Sequence, residues 1–186
     1  LTTFCFMPVT AGGKIRNATY CEQLLRSGAD KILFNTLLHS SPETISLLSK
    51  KYGSQCIVAG IDYKINLKSQ RIIYTENGSN PLNENFCSFI SQLPSLGCGE
   101  LYLQSIDKDG TGQGFDLGVL DQLPISNQLP FILAGGAGNS KHFVEAFLDN
   151  RVKAASTAHL FNFIGNGLSS ARAKVGKAGI DLAKWP

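Results

Sequence analysis

The sequence has no block of basic residues, no CxxC pair and no long apolar run. Its net charge of +3 is mild. Without a basic stripe, nucleic acid has no electrostatic footing and is not an expected partner, whereas small anions such as phosphates are. The five cysteines, Cys5, Cys21, Cys56, Cys87 and Cys98, are odd in number and irregularly spaced, and only three histidines accompany them. This argues against a disulfide scaffold and against a zinc site. Neither a metal nor a cofactor is expected, and a reducing cytoplasm is the expected compartment. No stretch reaches the roughly 18 apolar residues of a membrane span, so a membrane is not an expected partner either. No signal peptide is visible. No linker or low-complexity segment divides the 186 residues. They are read as one domain, residues 1–186, long enough to bury a core.

What is present is an alternation. Short apolar runs at Cys5–Thr10, Lys31–Asn35, Cys56–Asp62, Glu100–Gln104, Pro130–Ala134 and Ala154–Ala158 read as strands. They are continuously apolar, as strands buried on both faces should be. Amphipathic segments fill the gaps. "NATYCEQLLRSG" opens on a candidate cap, Asn17, and stops at Gly28; "SPETISLLSKKYG" offers Ser41 as cap, Pro42 at the first helical position and Gly53 as stop. "NENFCSFISQLPSLG", "LGVLDQL", "SKHFVEAFLDN" and Leu168–Val175 follow, with Pro94 expected to end or kink its helix. "YKINLKSQRIIYTENGSNP" reads as a polar hairpin inserted after Asp62. Six βα units in strict alternation imply an α/β fold with a parallel sheet and helices outside it. There is also an internal echo. "TAGGKIRN" and "LAGGAGNS" are each a strand, a Gly-Gly turn and a helix cap, and each is followed by a helix and another short strand. Such a repeat suggests a barrel of similar halves, with an open doubly wound sheet as the alternative.

In both architectures the working face lies at the carboxyl ends of the strands. Those ends carry Gly12-Gly13, Asn35-Thr36, Asp62 with Lys64, the stretch from Ser105 to Thr111, Gly135-Gly136, and Ala158-His159. Glycine pairs let backbone N–H groups approach an anion, and the following helix adds its positive end. Two such pairs in the same repeat context suggest two phosphate sites and a substrate phosphorylated at both ends; the plainer reading is that each pair only turns the chain. Asp62 leaves a buried run at a strand end, where a carboxylate of tuned pKa can act as general acid or base. Its plainer reading is a helix cap or an ion pair with Lys64. Asp107 and Asp109 read equally well as turn residues held by local hydrogen bonds.

Taken together, "SGADKILFNT", "GSQCIVAGIDYK", "SIDKDGTGQGFDL" and "AGGAGNSKHFVEAF" closely resemble the HisF family, the cyclase subunits of imidazole glycerol phosphate synthase, over nearly the whole chain. The resemblance implies a (β/α)8 TIM barrel, here a partial one of about six βα units corresponding to the family's strands 3–8. It implies a lyase of histidine biosynthesis that joins ammonia to a bisphosphorylated ribulosyl-imidazole nucleotide and forms imidazole glycerol phosphate. The ammonia would come from a HisH-like glutaminase partner at the amino-terminal face of the barrel and travel along its axis. On the matching positions, Asp62 becomes the family's second catalytic aspartate. Gly13, Asn35 and Thr36 hold one phosphate of the substrate; Asp109, Gly110, Gly135, Gly136 and Ala158 serve the other. Lys31 and Glu100, at the beginnings of their strands, belong to the charged gate of the ammonia channel, and Asp30 meets the glutaminase.

The sequence also departs from the family. The first two βα units have no counterpart, and with them go the first catalytic aspartate and two gate residues, so whether this chain is an enzyme as it stands is left open at the level of sequence. The chain is read as a piece of a longer gene product. The third glycine of the phosphate loop is Lys14, a threonine is Gln104, a serine is Ala134, and a serine near the last strand's end is His159; Gln104 and His159 are therefore counted with the substrate-binding positions. These changes lean towards a HisF-like branch that channels ammonia for amidation of surface-polysaccharide sugars, which "GIDLAKW" at the tail also resembles. Three functions are carried forward: the cyclase, the ammonia-channelling subunit of that branch, and an inactive phosphate-binding barrel fragment. Six units leave two open strand edges, which are expected to pair copies into a homodimer.

Overall fold

The computed structural model describes residues 5, 7–123, 129–158 and 165–183. Its frame is a parallel sheet of six strands that curls into a partial barrel, with helices, or a 3₁₀ turn between the fourth and fifth of these strands, linking successive strands. In chain order these are β1 (Thr10–Gly12), β2 (Lys31–Phe34), β3 (Ile57–Ile65), β6 (Glu100–Ser105), β7 (Phe131–Ala134) and β8 (Val152–Ser156), and they pair in that same order. A doubly wound sheet reverses its strand order at a switch point. Here there is no reversal, and the open-sheet alternative falls away. The inserted hairpin is also present. β4 (Arg71–Thr75) pairs antiparallel with the far end of β3, and the two-residue β5 (Asn80–Pro81) pairs with β4.

The helices are α1 (Ala18–Arg26), α2 (Thr36–Ser40), α3 (Pro42–Tyr52), α4 (Phe86–Leu96), α5 (Ser140–Phe147) and the last helix, Gly167–Lys177. The segment "LGVLDQL" forms only a 3₁₀ turn, Leu117–Gln122. Asparagine caps start three of them. Asn17 accepts the Tyr20 N–H, Asn85 that of Ser88, and Asn139 that of Lys141. Each such cap stabilises its helix by about 1 kcal/mol. Ser41 behaves differently from its expected role: its hydroxyl meets the side chains of Glu43 and Thr44 and no backbone N–H. Pro94 does not end α4, which continues to Leu96 and stops at Gly97 in a left-handed conformation. Pro94 lies in the last turn, where its carbonyl still accepts the Gly97 N–H and little helix remains to be broken.

The strands are less uniformly buried than continuous apolar runs suggest. On β2, β3, β6 and β7 one set of alternate residues is buried under the helices: Ile32 and Phe34, Ile57, Ala59, Ile61 and Tyr63, Leu101 and Leu103, Phe131 and Leu133. Burying each large side chain there contributes about 1.5–3 kcal/mol, and this face holds the fold together. The opposite set points to the concave face. It includes Lys31 and Leu33, Asp62, Glu100, Tyr102 and Gln104, most of them only half-buried. The first strand is also shorter than expected and shifted: Met7–Val9 are not strand, and β1 begins at Thr10. Among the described residues all five cysteines are free thiols, and burial pushes Cys21 up to about 11 and Cys98 up to about 12.

Candidate active site

Strand ends and the turns behind them build a cleft of about 670 Å³. Its lining comes from the β1–α1 turn (Gly13, Lys14, Arg16), the β2–α2 junction (Asn35, Thr36), Asp62 on β3, and Glu76 with Asn77 at the tip of the inserted hairpin. The structure thus brings together Asp62, Gly13, Asn35 and Thr36, which the sequence placed at separate strand ends. Burial raises the Asp62 carboxyl from its ordinary 3.8 to about 6. Lys64 does not account for Asp62, because it stands over the Tyr74 ring, 4.7 Å from its centre. A carboxylate that titrates near neutrality at a cleft floor can give or take a proton.

Asn35 and Thr36 have structural work. The Asn35 amide donates to the Gly60 and Tyr74 carbonyls at 3.2 and 3.4 Å. The Thr36 hydroxyl donates to the Asn35 side-chain oxygen at 3.3 Å and accepts the Glu76 N–H at 3.3 Å. The hairpin tip is therefore pinned over the β2–α2 junction. Nothing in the sequence announces this contact, which joins residues forty positions apart.

The second group of expected positions lies at the ends of β6, β7 and β8. The loop after β6 lies across the β7–α5 turn, and the Gly114 N–H donates to the Gly136 carbonyl at 2.7 Å. A Cβ on Gly136 would stand 2.1 Å from the Gly114 carbonyl oxygen, and one on Gly138 2.2 Å from that of Gly112. These glycines allow two backbones to touch. Gly110 differs: a Cβ there would meet nothing, and its φ of +74° is what requires glycine. The three aspartates of the loop have three different duties. Asp107 accepts the Ile65 N–H at 2.7 Å and closes the end of β3, a long-range contact where the sequence suggested a local turn. Asp116 takes a two-pronged bond from Arg71, at 3.0 and 2.9 Å, and a third bond from the Tyr63 hydroxyl at 3.0 Å. No described residue hydrogen-bonds the Asp109 carboxylate, but with Asp62 it bears on Tyr102, whose hydroxyl is raised first by burial and then by these two charges. Gln104 pairs in register with Asp62 on one side and Ala134 on the other, and accepts the Tyr102 hydroxyl at 3.2 Å. Gly135 is buried at the end of β7, where a Cβ would collide with the Ser105 carbonyl. Ala158 is exposed beyond β8, and His159 lies outside the described residues.

At the other end of the concave face Lys31 and Glu100 form an ion pair from the starts of β2 and β6, spanning β3 between them. Asp30 accepts the Val9 N–H at 2.8 Å and so fixes the approach to β1. Among the described residues no cluster of histidine, cysteine, aspartate or glutamate could hold a metal ion. No described helix is long and apolar enough to cross a membrane.

Residues 1–165 match the model of the family described as "Histidine biosynthesis protein". A protein of Parasynechococcus marenigrum named "Putative imidazole glycerol phosphate synthase subunit hisF2" is 40% identical over 182 residues, which are 97% of this chain and 67% of that protein. "Imidazole glycerol phosphate synthase subunit HisF" of Chlorobium phaeobacteroides is 35% identical over 177 residues, 95% of this chain and 70% of the relative. The subunit of the same name from Limosilactobacillus fermentum is 35% identical over 181 residues, 97% and 69% of the two chains. The curled sheet in chain order, the site at its carboxyl ends and these relatives agree, and the chain belongs to the HisF family of imidazole glycerol phosphate synthase subunits.

Proposed function

We propose that the chain acts as a cyclase subunit of the imidazole glycerol phosphate synthase type. It would bind a bisphosphorylated ribulosyl-imidazole nucleotide across the carboxyl ends of its strands and use ammonia received from a HisH-like glutaminase. The observation that carries this reading is the position of Asp62. Its carboxyl, raised to about 6, stands on the cleft floor beside Gly13 and Asn35, while the Lys31–Glu100 pair occupies the opposite end of the same concave face. In this reading Asp62 moves the proton of the ring-closing step. Lys31 and Glu100 stand where ammonia would enter, Asp30 faces the glutaminase, and Asp109, Gly110 and Gly136 receive the second phosphate. The nearest test is ammonium-driven turnover, in complex with the glutaminase subunit, of the chain joined to the family's first two βα units. Asp62→Asn keeps shape but removes the ionisable group, and turnover should fall about 10²–10⁴-fold. Undiminished turnover would end this assignment. Lys31→Ala should impair glutamine-driven turnover more than ammonium-driven turnover, and equal losses would reduce the pair to a stabilising contact of about 0–1 kcal/mol.

A second reading, ammonia channelling to a different acceptor such as a surface-polysaccharide sugar, is favoured by the neighbours of Asp62. Gln104 and Ala134 stand side by side there, and Tyr102 fixes the Gln104 amide. This surrounding differs from the threonine and serine expected of the cyclase. A complex that consumes glutamine only when such a sugar acceptor is supplied would favour this reading.

A further inference from the structure

The polar side chains beside the β1–α1 turn leave little to hold an anion. Both amide hydrogens of Asn35 go to carbonyls of β3 and β4, and the Thr36 hydroxyl gives its hydrogen to Asn35. Two cations line the same cleft, Lys14 and Arg16, and neither forms an ion pair or a side-chain hydrogen bond with another described residue. Lys14 is also held at φ +54°, in the left-handed region that side chains disfavour. Its neighbour Gly13, at φ +97°, has nothing within 4 Å of the position of a Cβ, so crowding does not force this turn and the space above it is open. A lysine kept in a backbone conformation better suited to glycine, facing a cavity, is the kind of local strain found at binding sites.

We propose that Lys14 and Arg16 are the anion anchors of this cleft and that they set its preference for a doubly charged phosphomonoester. The proposal rests on the reading of the cleft as the site of a phosphorylated ligand. A phosphomonoester carries about −1.5 to −2 charges near pH 7 and matches two cations, whereas a phosphodiester carries one. Charge-assisted hydrogen bonds of lysine and arginine to phosphate are short and strong. The carboxylates of the cleft, Asp62 and Glu76, lie on β3 and the hairpin tip, so charge is divided across the cavity. One end of the ligand is thereby directed to the β1–α1 turn.

Calorimetric binding of glycerol 3-phosphate and of its methyl phosphodiester, at one fixed ionic strength, tests this. The wild-type chain should bind the monoester about tenfold or more tightly than the diester. Lys14→Gly and Arg16→Gln should each weaken monoester binding about tenfold and remove the preference. Lys14→Gly should do so without lowering the melting temperature, because glycine accepts the left-handed turn. Lys14→Arg should keep the preference, and Lys50→Gln, on the far side of α3, should leave binding unchanged. If Lys14→Gly and Arg16→Gln bind the monoester as the wild type does, the anchors are elsewhere and the phosphate reading of the cleft survives. If the wild type binds neither probe, both the anchors and that reading are overturned.

Discussion

A single carboxyl shows what burial costs the fold. Asp62 is raised from 3.8 to about 6 by burial alone. Between these values the folded chain holds a proton that the unfolded chain has released. Stability therefore falls as pH rises through the window from about 4 to 6, and the loss is complete above it. The carboxyl retains some access to solvent, so the cost at pH 7 is about 1–2 kcal/mol. Asp62→Asn should raise stability by about that amount at pH 7, leave it unchanged below pH 4, and flatten the slope between. Urea denaturation of both proteins at several pH values measures this; an equal slope in the variant would show that another group titrates. Asp62 was legible in the sequence because it ends an apolar run. Lys14 was legible only as an odd residue in a glycine turn, since a backbone angle and an open cavity are not written in composition.

At the scale of elements, the hairpin is the informative part. The sequence marks it by a polar stretch after β3, and β4 with its turn lies where that stretch predicts. What fastens it was not legible. Arg71, Asp116 and Tyr63 come from β4, the loop after β6, and β3, and they meet only in the folded chain. The ion pair is buried, with side chains 6% and 9% exposed, so removing one partner strands a charge away from water. Arg71→Met should cost about 3–5 kcal/mol. Replacing the set together, as Tyr63→Phe, Arg71→Met and Asp116→Leu, should recover much of that loss, because no uncompensated charge remains. Denaturant midpoints of the two variants decide the matter, and an Arg71→Met protein as stable as the wild type would show that the pair contributes nothing. The period signal did well for α1, α4 and α5, and the capping signal for α1, where Asn17 is a local cap, though not for α3, where Ser41 makes no capping bond. These signals did not mark α2, a five-residue helix directly after β2 that has no side-chain cap.

For the molecule as a whole, the alternation of strands and helices was enough to give the parallel sheet. Its concave face was harder to read, since runs such as "KILF" carry their half-buried residues among fully buried ones. Among the described residues β1 bonds only to β2 and β8 only to β7, so each presents a row of unpaired backbone groups. Leu33, Tyr102 and Ile132 are half-buried on the concave face between these edges. We expect copies of the chain to associate through the edges and this face at micromolar concentration. Sedimentation velocity should show a dimer and a melting temperature that rises with concentration; a monomer with a concentration-independent melt would exclude it.

The pairing of strands in chain order has a kinetic side. Each parallel pair joins consecutive βα units, so every contact of the sheet closes a loop of modest length, and folding can spread outward from β3 in both directions. The ends of such a sheet open first. β1 has only three residues and leads directly into the turn of Gly13 and Lys14. A ligand seated on that turn would act as a clasp on the margin of the sheet that opens most readily. Amide hydrogen exchange should then slow most at Thr10–Gly12 when glycerol 3-phosphate is added, while β3, an inner strand paired on both sides, should change little. Equal slowing across the sheet would mean that occupancy is sensed only through global unfolding, and that the edge and the cleft do not communicate.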